Sequence, residues 1–241
     1  MELGPLVKII SHDLRGPLGN MKNVADLFKM NEIEVEQAKM FMQHIELGIN
    51  RSLKLLDDLI EWSHASDENK KVTKENLDVN EVIKDAIEII QEKIDGKEHI
   101  LKFETKDLPL AYVDKSALKM IVKNLLINAI HFTPNKGKIG LTVTEKGNYL
   151  HFSISDNGMG IPEKMHDSIF SMGKDNRRLG TNEEKGTGIG LFMCKDLVSR
   201  NGGMIWLESS SEENGTTVMF SIKKAMKEKE EKELDKPKEQ E

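Results

Sequence analysis

Two segments near the start of the chain carry apolar residues at alternating intervals of four and three. The first runs from Leu3 to Phe28 and the second from Ala38 to Leu59, with a polar break near Asn31. This heptad spacing predicts two helices, each with one apolar face, and the short break predicts an antiparallel hairpin. Because a hairpin cannot bury two such faces alone, we expect it to pair with a second copy in a homodimeric four-helix bundle.

The periodicity changes after a polar, lysine-rich stretch at residues 67–74, which we interpret as a linker. Helical patterns near 80–95, 114–131 and 190–201 are then mixed with runs that alternate apolar and polar residues, as strands do. This mixture predicts an α/β sandwich, with helices covering one face of a sheet. The chain therefore divides into a helical hairpin, the linker, an α/β domain and a charged tail that we expect to be disordered; the bounds are 1–66, 67–74, 75–224 and 225–241.

The overall composition argues against two kinds of partner. A formal net charge of −6 offers no basic face to a nucleic acid backbone. No apolar run approaches the roughly 20 residues that a membrane-spanning helix needs, so this segment is not expected to contact a membrane. The single cysteine, Cys194, fits a reducing compartment, and we expect a cytoplasmic location.

One histidine of the first predicted helix has unusual neighbours. His12 lies two residues from Ile10 and from Leu14, which belong to the line of apolar heptad residues, or seam, of this helix. It therefore faces away from the seam. A lone histidine there is usually only a surface residue. However, Asp13 offers a carboxylate that can hold one ring nitrogen protonated and leave the other as a nucleophile. Pro17 costs a helix about 3 kcal/mol or more, which suggests that the helix needs to bend beside this pair.

The helix predicted over 114–131 carries two asparagines on one face. Asn124 and Asn128 are four residues apart, which is one helical turn. Neutral amide oxygens suit Mg²⁺, which keeps several waters and takes few protein ligands beside nucleotide phosphates. A polar outer stripe is the simpler alternative for two isolated asparagines.

Two glycine-containing turns follow. The sequence at 156–160 comes directly after a predicted strand. There Asp156 can accept a hydrogen bond from the adenine amino group, which guanine lacks at that position, and glycines let the backbone approach the base. The hexapeptide at 186–191 opens a helix, where exposed N–H groups bind anions. A Rossmann loop is excluded because no buried strand precedes it, and a Walker loop because no Gly-Lys-Ser/Thr ending is present.

These motifs resemble the boxes of sensor histidine kinases of two-component systems. Residues 11–18 are similar to the H-box, 124–134 to the N-box, 156–160 to the G1 box and 186–191 to the G2 box. The resemblance spans the chain from about Leu6 to about Ile222. It implies a dimerisation and phosphoacceptor hairpin followed by a GHKL ATP-binding domain of the Bergerat fold. The chain would then be the cytoplasmic part of a larger, membrane-anchored sensor.

The resemblance also implies ATP and Mg²⁺ as cofactors and gives roles to individual residues. His12 would be the phosphoacceptor, Asp13 its base and Asn128 the magnesium ligand. Residues 161–185 would form a lid over ATP. The remaining nucleotide-binding residues that it implies are Asn124, His131, Asp156, Gly158, Gly160, Phe170, Lys185, Gly186, Thr187, Gly188, Ile189, Gly190 and Leu191.

The sequence departs from the family pattern in three places. His131 stands where the family usually has lysine, and Gly173 stands where a second lid phenylalanine is common. Gly16 lies four residues after His12, where many relatives have a Thr or Asn that orients a water against the regulator's phospho-aspartate. The basic lid residues could reach the phosphates, although each taken singly is more simply a solvated charge: Lys174, Arg177, Arg178 and Lys185.

The predicted function is ATP-dependent autophosphorylation of His12, with transfer of the phosphoryl group to an aspartate of a response-regulator receiver domain. A GHKL ATPase of the chaperone or DNA-repair kind is one alternative, but the hairpin and the lack of a glutamate in 124–134 argue against it. A degenerate kinase that only dimerises and docks regulators is another. Intact Asn128, Asp156 and Gly188 argue against that alternative, whereas His131 and Gly173 keep it open.

Overall fold

The computed structural model describes residues 3–29, 35–66, 73–104, 107–171, 178–182, 184, 186–211 and 214–225. Within these ranges the side chains at 3–14, 17, 35, 51 and 64–66 are not described. Several features of the sequence prediction lie outside the described residues: the break near Asn31, most of the linker, Gly173, Lys174, Arg177, Lys185 and the tail from 226.

The first two helices form the predicted hairpin. They are α1 (Leu3–Lys29) and α2 (Val35–Ser66), and they pack against each other. Val24, Ala38 and Ile45 of the predicted seams are buried, but in a single chain others remain exposed, among them Met42 at 56%. Near the end of α2, Leu55 lies outside the predicted seam and is buried because it joins the core of the α/β domain, whereas the seam residue Leu56 is 38% exposed in the single chain.

The rest of the described chain is an α/β domain. Its helices are α3 (Val79–Gly96), α4 (Lys115–Phe132) and α5 (Gly190–Arg200), with a short 3-10 helix at Glu163–Met165. Its strands are β1 (Glu75–Leu77), β2 (Ile100–Glu104), β3 (Ala111–Val113), β4 (Lys138–Lys146), β5 (Tyr149–Asp156), β6 (Ile205–Ser211) and β7 (Gly215–Lys223).

Five strands form one mixed sheet in the order β2-β4-β5-β7-β6, and β1 pairs with β3 separately. Only the β2–β4 pair of the large sheet is parallel. Alternate residues of β4, β5 and β7 are buried, as the sequence alternation predicts. Phe152 and Phe220 lie opposite each other in the register and stack with 4.4 Å between ring centroids. The helices bury their apolar faces in the same core.

Side-chain caps fix where two of the helices begin. Asp78 accepts a hydrogen bond from the Asn80 N–H at 2.8 Å, and Asp114 accepts one from the Ala117 N–H at 2.9 Å. Each carboxylate satisfies a donor that has no partner within its helix. Asp114 therefore fixes the residue at which α4 begins, and with it the positions of Asn124 and Asn128 along the helix.

The end of α4 is where three loops meet. The last carbonyls of a helix have no partner within the helix, and those of Ile130, His131 and Phe132 accept hydrogen bonds from other segments. The donors, in that order, are the Lys97 ammonium at 2.9 Å, the Thr181 N–H at 2.9 Å and the Met159 N–H at 3.0 Å.

The hairpin is docked on the α/β domain through the second half of α2. Trp62 is buried, and its indole N–H donates to Asp196 of α5 at 3.1 Å. Arg200 donates to the same carboxylate oxygen at 2.8 Å. The residue before Trp62, Glu61, pairs with Lys123 of α4. None of the helices in the described part of the chain is long and apolar enough to cross a bilayer.

Candidate nucleotide site

Two adjoining cavities lie between α4, the glycine-rich segment 186–190 and the residues after β5. The larger has a volume of about 290 Å³ and the smaller about 80 Å³. The larger is bordered by several basic side chains, whereas the smaller is lined mostly by apolar ones. The residues that border both are Asn128, Phe132, Ile169, Arg178 and Leu191.

One face of α4 forms a wall of the larger cavity. Asn124, Asn128 and His131 border it, at intervals of four and three residues. The opposite face, including Leu125 and Leu126, is buried in the core. The prediction that the two asparagines share one face is confirmed.

The side chain of His131 is neutral at physiological pH. Burial lowers its pKa to about 4, and the neighbouring Lys54 acts in the same direction, whereas Glu184 opposes the shift. An uncharged imidazole at this position can hydrogen-bond a phosphate but supplies no attraction between opposite charges. The positive charge at the cavity must come from other side chains.

Asp156, the last residue of β5, borders the smaller cavity. Its Oδ1 accepts hydrogen bonds from the Gly158 N–H at 2.8 Å and the Thr216 N–H at 3.2 Å. Among the described residues no donor reaches Oδ2, so one oxygen stays available to a ligand. Burial raises the pKa of this carboxyl, and the two backbone hydrogen bonds oppose the shift.

The two glycines after Asp156 have separate structural reasons. A Cβ on Gly158 would lie 2.2 Å from the Phe132 carbonyl oxygen, so this glycine permits close contact with the end of α4. Gly160 has a φ of 58°, which is a left-handed conformation that favours glycine. The sequence interpretation assigned both glycines to an approach of the base, whereas the contact at Gly158 is with the protein's own backbone.

The glycine-rich segment closes another side of the larger cavity. Gly186, Thr187 and Gly188 border it, and Gly188 has a φ of 75°. Gly190 and Leu191 border it at the start of α5, and Ile189 is buried beneath. The first N–H groups of a helix lack partners within the helix and attract anions. This segment therefore has the geometry of an anion-binding loop.

The hairpin supplies part of the same cavity, which the sequence analysis missed. Lys54 and Asp58 of α2 border the larger cavity, and the Thr187 hydroxyl donates to Asp58 Oδ2 at 3.2 Å. Burial lowers the pKa of Lys54 and raises that of Asp58, although each opposes the other's shift. Lys93 and Lys123 add further positive charge. No local motif marks these residues, because they come from three different helices.

Arg178 of the predicted lid lies at the junction of the cavities, whereas Phe170 borders neither of them. Phe170 is half-buried and packs against the core. Arg178 borders both cavities, donates to the Gly160 carbonyl and lies 5.6 Å from the centre of the Phe132 ring. The interpretation of Arg178 as a solvated lid charge is therefore wrong. Lys185 lies outside the described residues.

The predicted phosphoacceptor lies in α1. His12 and Asp13 are both helical, and their side chains are among those not described. The structure therefore gives only their position along the hairpin.

The oxygen atoms that the larger cavity offers as metal ligands suit Mg²⁺ bound together with a nucleotide. Among the described residues no group of three His, Cys, Asp or Glu side chains could hold a metal ion. The amides of Asn124 and Asn128 offer neutral oxygens beside a basic cavity. Mg²⁺ commonly takes one or two protein oxygens and completes its shell with phosphate and water.

Comparison with known proteins decides the family. Residues 113–226 match the model for "Histidine kinase-, DNA gyrase B-, and HSP90-like ATPase". The solved catalytic domain of the histidine kinase ThkA is 30% identical, with a TM-score of 0.54, over 63% of this chain and 95% of that one. The chain belongs to the sensor histidine kinases.

Two further relatives define how far the likeness extends. This histidine kinase is 32% identical to the phytochrome-like protein Cph1 of Synechocystis over 225 residues, which is 92% of this chain but only 29% of Cph1. A structure of ThkA in complex with the response regulator protein TrrA has a TM-score of 0.67 at 24% identity, covering 92% of this chain and 62% of that one. At that identity the likeness shows the fold alone.

Proposed function

We propose that this histidine kinase autophosphorylates His12 with ATP and passes the phosphoryl group to an aspartate of a response-regulator receiver domain. The observation that carries the proposal is the place of the larger cavity against the hairpin. Lys54 and Asp58 of α2 form part of its wall. A nucleotide whose phosphates occupied this cavity would lie against the helical hairpin that contains His12.

The register of the hairpin supports this placement. Phe28 of α1 and Ala38 of α2 border one groove between the two helices. His12 lies 16 residues before Phe28, and Lys54 lies 16 residues after Ala38. Since an α-helix rises 1.5 Å per residue, both lie about 24 Å from that groove, in the same direction along an antiparallel pair. His12 and Lys54 are therefore expected at about the same level along the axis of the hairpin.

The two cavities suit the two ends of ATP. Adenine fits the smaller, apolar one, where Asp156 Oδ2 can accept the hydrogen bond of its amino group. The triphosphate fits the larger one, near the N-terminus of α5 and the charges of Lys54, Lys93, Lys123 and Arg178. Mg²⁺ beside Asn128 would neutralise charge on the phosphates. Catalysis would then rest on positioning and on charge stabilisation.

The transfer itself involves few groups of the protein. A ring nitrogen of His12 attacks the γ-phosphorus in line, the N–P bond forms, and the bond to the leaving ADP oxygen breaks. Asp13 holds the proton on the other ring nitrogen, which keeps the attacking nitrogen unprotonated. The phosphohistidine then gives its phosphoryl group to an aspartate of the receiver domain.

We further propose that the hairpin at 1–66 dimerises, followed by a linker at 67–74 and the catalytic domain at 75–224. Several apolar residues of α1 and α2 are exposed in the single chain, which supports a second copy as their partner: Leu18, Met21, Phe28, Met42, Leu53, Leu56 and Ile60. A contiguous apolar surface on a soluble protein is usually covered by a partner in an assembly.

Incubation with labelled ATP tests the proposed function. An acid-labile phosphoprotein is expected, because phosphate bound to a histidine nitrogen is released in acid. Free phosphate without a labelled protein would indicate a GHKL ATPase instead. No reaction at all would indicate a docking module without kinase activity.

Replacing Asp156 with asparagine should reduce the preference for ATP over GTP. The new side chain can keep its Oδ1 on the Gly158 and Thr216 N–H groups, and its amide nitrogen then lies where Oδ2 was. A donor there opposes the adenine amino group and suits the guanine carbonyl. We expect ATP affinity to fall by about tenfold or more. Affinities for both nucleotides are measured side by side, with exposed Asp107→Asn as the charge-matched control. An unchanged ratio would contradict the role of Asp156.

Because residue 16 is glycine, we expect the protein to have low phosphatase activity toward its phosphorylated partner. Gly16 lies one helical turn after His12 and has no side chain to orient a water. Among the described residues, nothing lies within 4 Å of a Cβ at Gly16, so a threonine there meets no described neighbour, and Gly16→Thr should raise phosphatase activity. The assay is the decay of a purified phospho-regulator with ADP present.

Gly19→Thr is the matched control, because Gly19 is in the same helix and is equally open. Both changes replace a glycine, which costs a helix up to about 1 kcal/mol, so both stiffen α1. Only the change at Gly16, one helical turn from His12, should alter the rate at which the phospho-regulator decays. Rapid decay with the unmodified chain, independent of His12, would contradict the prediction.

A further inference from the structure

A buried ammonium group lies behind the larger cavity. Lys97 follows α3, and only 6% of the residue is exposed. Its Nζ pairs with Glu184 at 2.5 Å and donates to the Thr181 hydroxyl at 2.8 Å and the Ile130 carbonyl at 2.9 Å. A lysine has three N–H donors, so these contacts satisfy the group. Burying a charge is costly unless it is paired in this way.

Glu184 uses both carboxylate oxygens within the same cluster. Oε1 pairs with Lys97, and Oε2 accepts the Asn182 N–H at 2.7 Å. The Glu184 carbonyl accepts the Gly180 N–H at 2.8 Å, which closes a turn at Thr181 and Asn182. Burial raises the pKa of Glu184, but the hydrogen bonds from Lys97 and Asn182 outweigh it, and the net pKa is lower than usual. The carboxylate stays charged at neutral pH.

This turn is attached to the end of α4. The His131 carbonyl accepts the Thr181 N–H at 2.9 Å, and the Thr133 carbonyl accepts the Thr181 hydroxyl at 2.9 Å. A Cβ on Gly180 would lie 2.7 Å from the His131 carbonyl oxygen, so only glycine permits this contact. Lys97 therefore connects the helix that carries Asn128 to the segment that leads into Gly186.

Neither Lys97 nor Glu184 borders either cavity. Two residues after Glu184 the chain enters the cavity wall at Gly186, and Asn128 lies two residues before Ile130 on the opposite wall. We propose that the Lys97–Glu184 pair is a positioning element that holds the glycine-rich loop at a fixed distance from α4, and so sets the width of the phosphate-binding cavity. The proposal rests on the proposed binding of ATP.

The pair is expected to act on the triphosphate and not on the base. Asp156 is held by Gly158 and Thr216, and among the described residues neither of these hydrogen-bonds to Lys97 or Glu184. Loss of the pair should displace the loop while the smaller cavity keeps its lining. A merely stabilising ion pair would instead weaken every ligand together.

Glu184→Ala separates these two cases. We expect the dissociation constant of a non-hydrolysable ATP analogue with Mg²⁺ to rise by about tenfold or more, while adenosine, measured by NMR titration, binds unchanged. Lys97→Met should give the same pattern with a lower melting temperature, since it also removes a donor from the Ile130 carbonyl. The double variant should bind the analogue no more weakly than the weaker single variant.

Glu145→Ala is the matched control. It deletes an ion pair of 2.8 Å with Lys224 at the other side of the domain, where Glu145 is exposed. Both ligands should bind this variant as they bind the unmodified chain. Parallel weakening of the analogue and adenosine in Glu184→Ala, or no change in either, would overturn the proposal. An unmodified chain that binds no analogue would instead overturn the proposed function.

Discussion

Replacing His12 with glutamine is expected to abolish the acid-labile phosphoprotein completely. Glutamine keeps a polar side chain of similar length but has no nitrogen that can form a stable bond to phosphorus. The described residues that line the two cavities belong to α2 and the α/β domain, so binding of Mg-ATP and the oligomeric state should stay near those of the unmodified chain. Labelling with ATP, nucleotide titration and light scattering measure the three quantities.

His44→Gln is the control for this variant. His44 is another histidine of the hairpin; its side chain is exposed, and its Nδ1 lies 2.8 Å from the Met40 carbonyl in its own helix. The His44→Gln variant should be labelled as strongly as the unmodified chain. Phosphate retained on His12→Gln would assign the acceptor to another residue.

Asn128→Ala is expected to abolish Mg²⁺-dependent nucleotide binding and, with it, labelling of His12. Asn128 borders both cavities, so its amide lies where the base and phosphate ends of a nucleotide would meet. Alanine has no oxygen to offer the metal, and helix propensity favours it, so the fold should not suffer. Titration with ATP is carried out with Mg²⁺ and with EDTA.

The difference between the two titrations is the informative quantity. It should vanish in Asn128→Ala and persist in Asn76→Ala, which changes an exposed asparagine of β1. Normal Mg-ATP binding by Asn128→Ala would show that the metal is held elsewhere.

The periodic parts of the fold could be predicted from the sequence. The heptad spacing gives both hairpin helices, and the apolar alternation gives β4, β5 and β7, because their buried residues repeat with the period of the element. β1 and β3 have three residues each, which is too short for any period to be read. In β2 and β6 no residue is fully buried, so the apolar signal is weak.

The site was predictable only where its residues are close in sequence. Asn124 and Asn128, the turn after β5 and the glycine-rich segment are local patterns, and all of them border the two cavities. Lys54 and Lys97 are not local in this sense. Lys54 borders the larger cavity and Lys97 lies behind it, each through packing between segments far apart in the chain, and a single lysine carries no signal of that packing.

Asp58, Glu61 and Trp62 hold the hairpin to the catalytic domain, and they occupy positions i, i+3 and i+4 of α2. They therefore share one face of that helix, about 100° wide. Rotating α2 about its axis by one residue, about 100°, would present Asp57, Ile60 and Glu61 in their place. No indole would then donate to Asp196, and an apolar side chain would face Lys123. A rotation of this size would therefore break the docked arrangement, and it would also change the wall of the larger cavity, because Asp58 borders it.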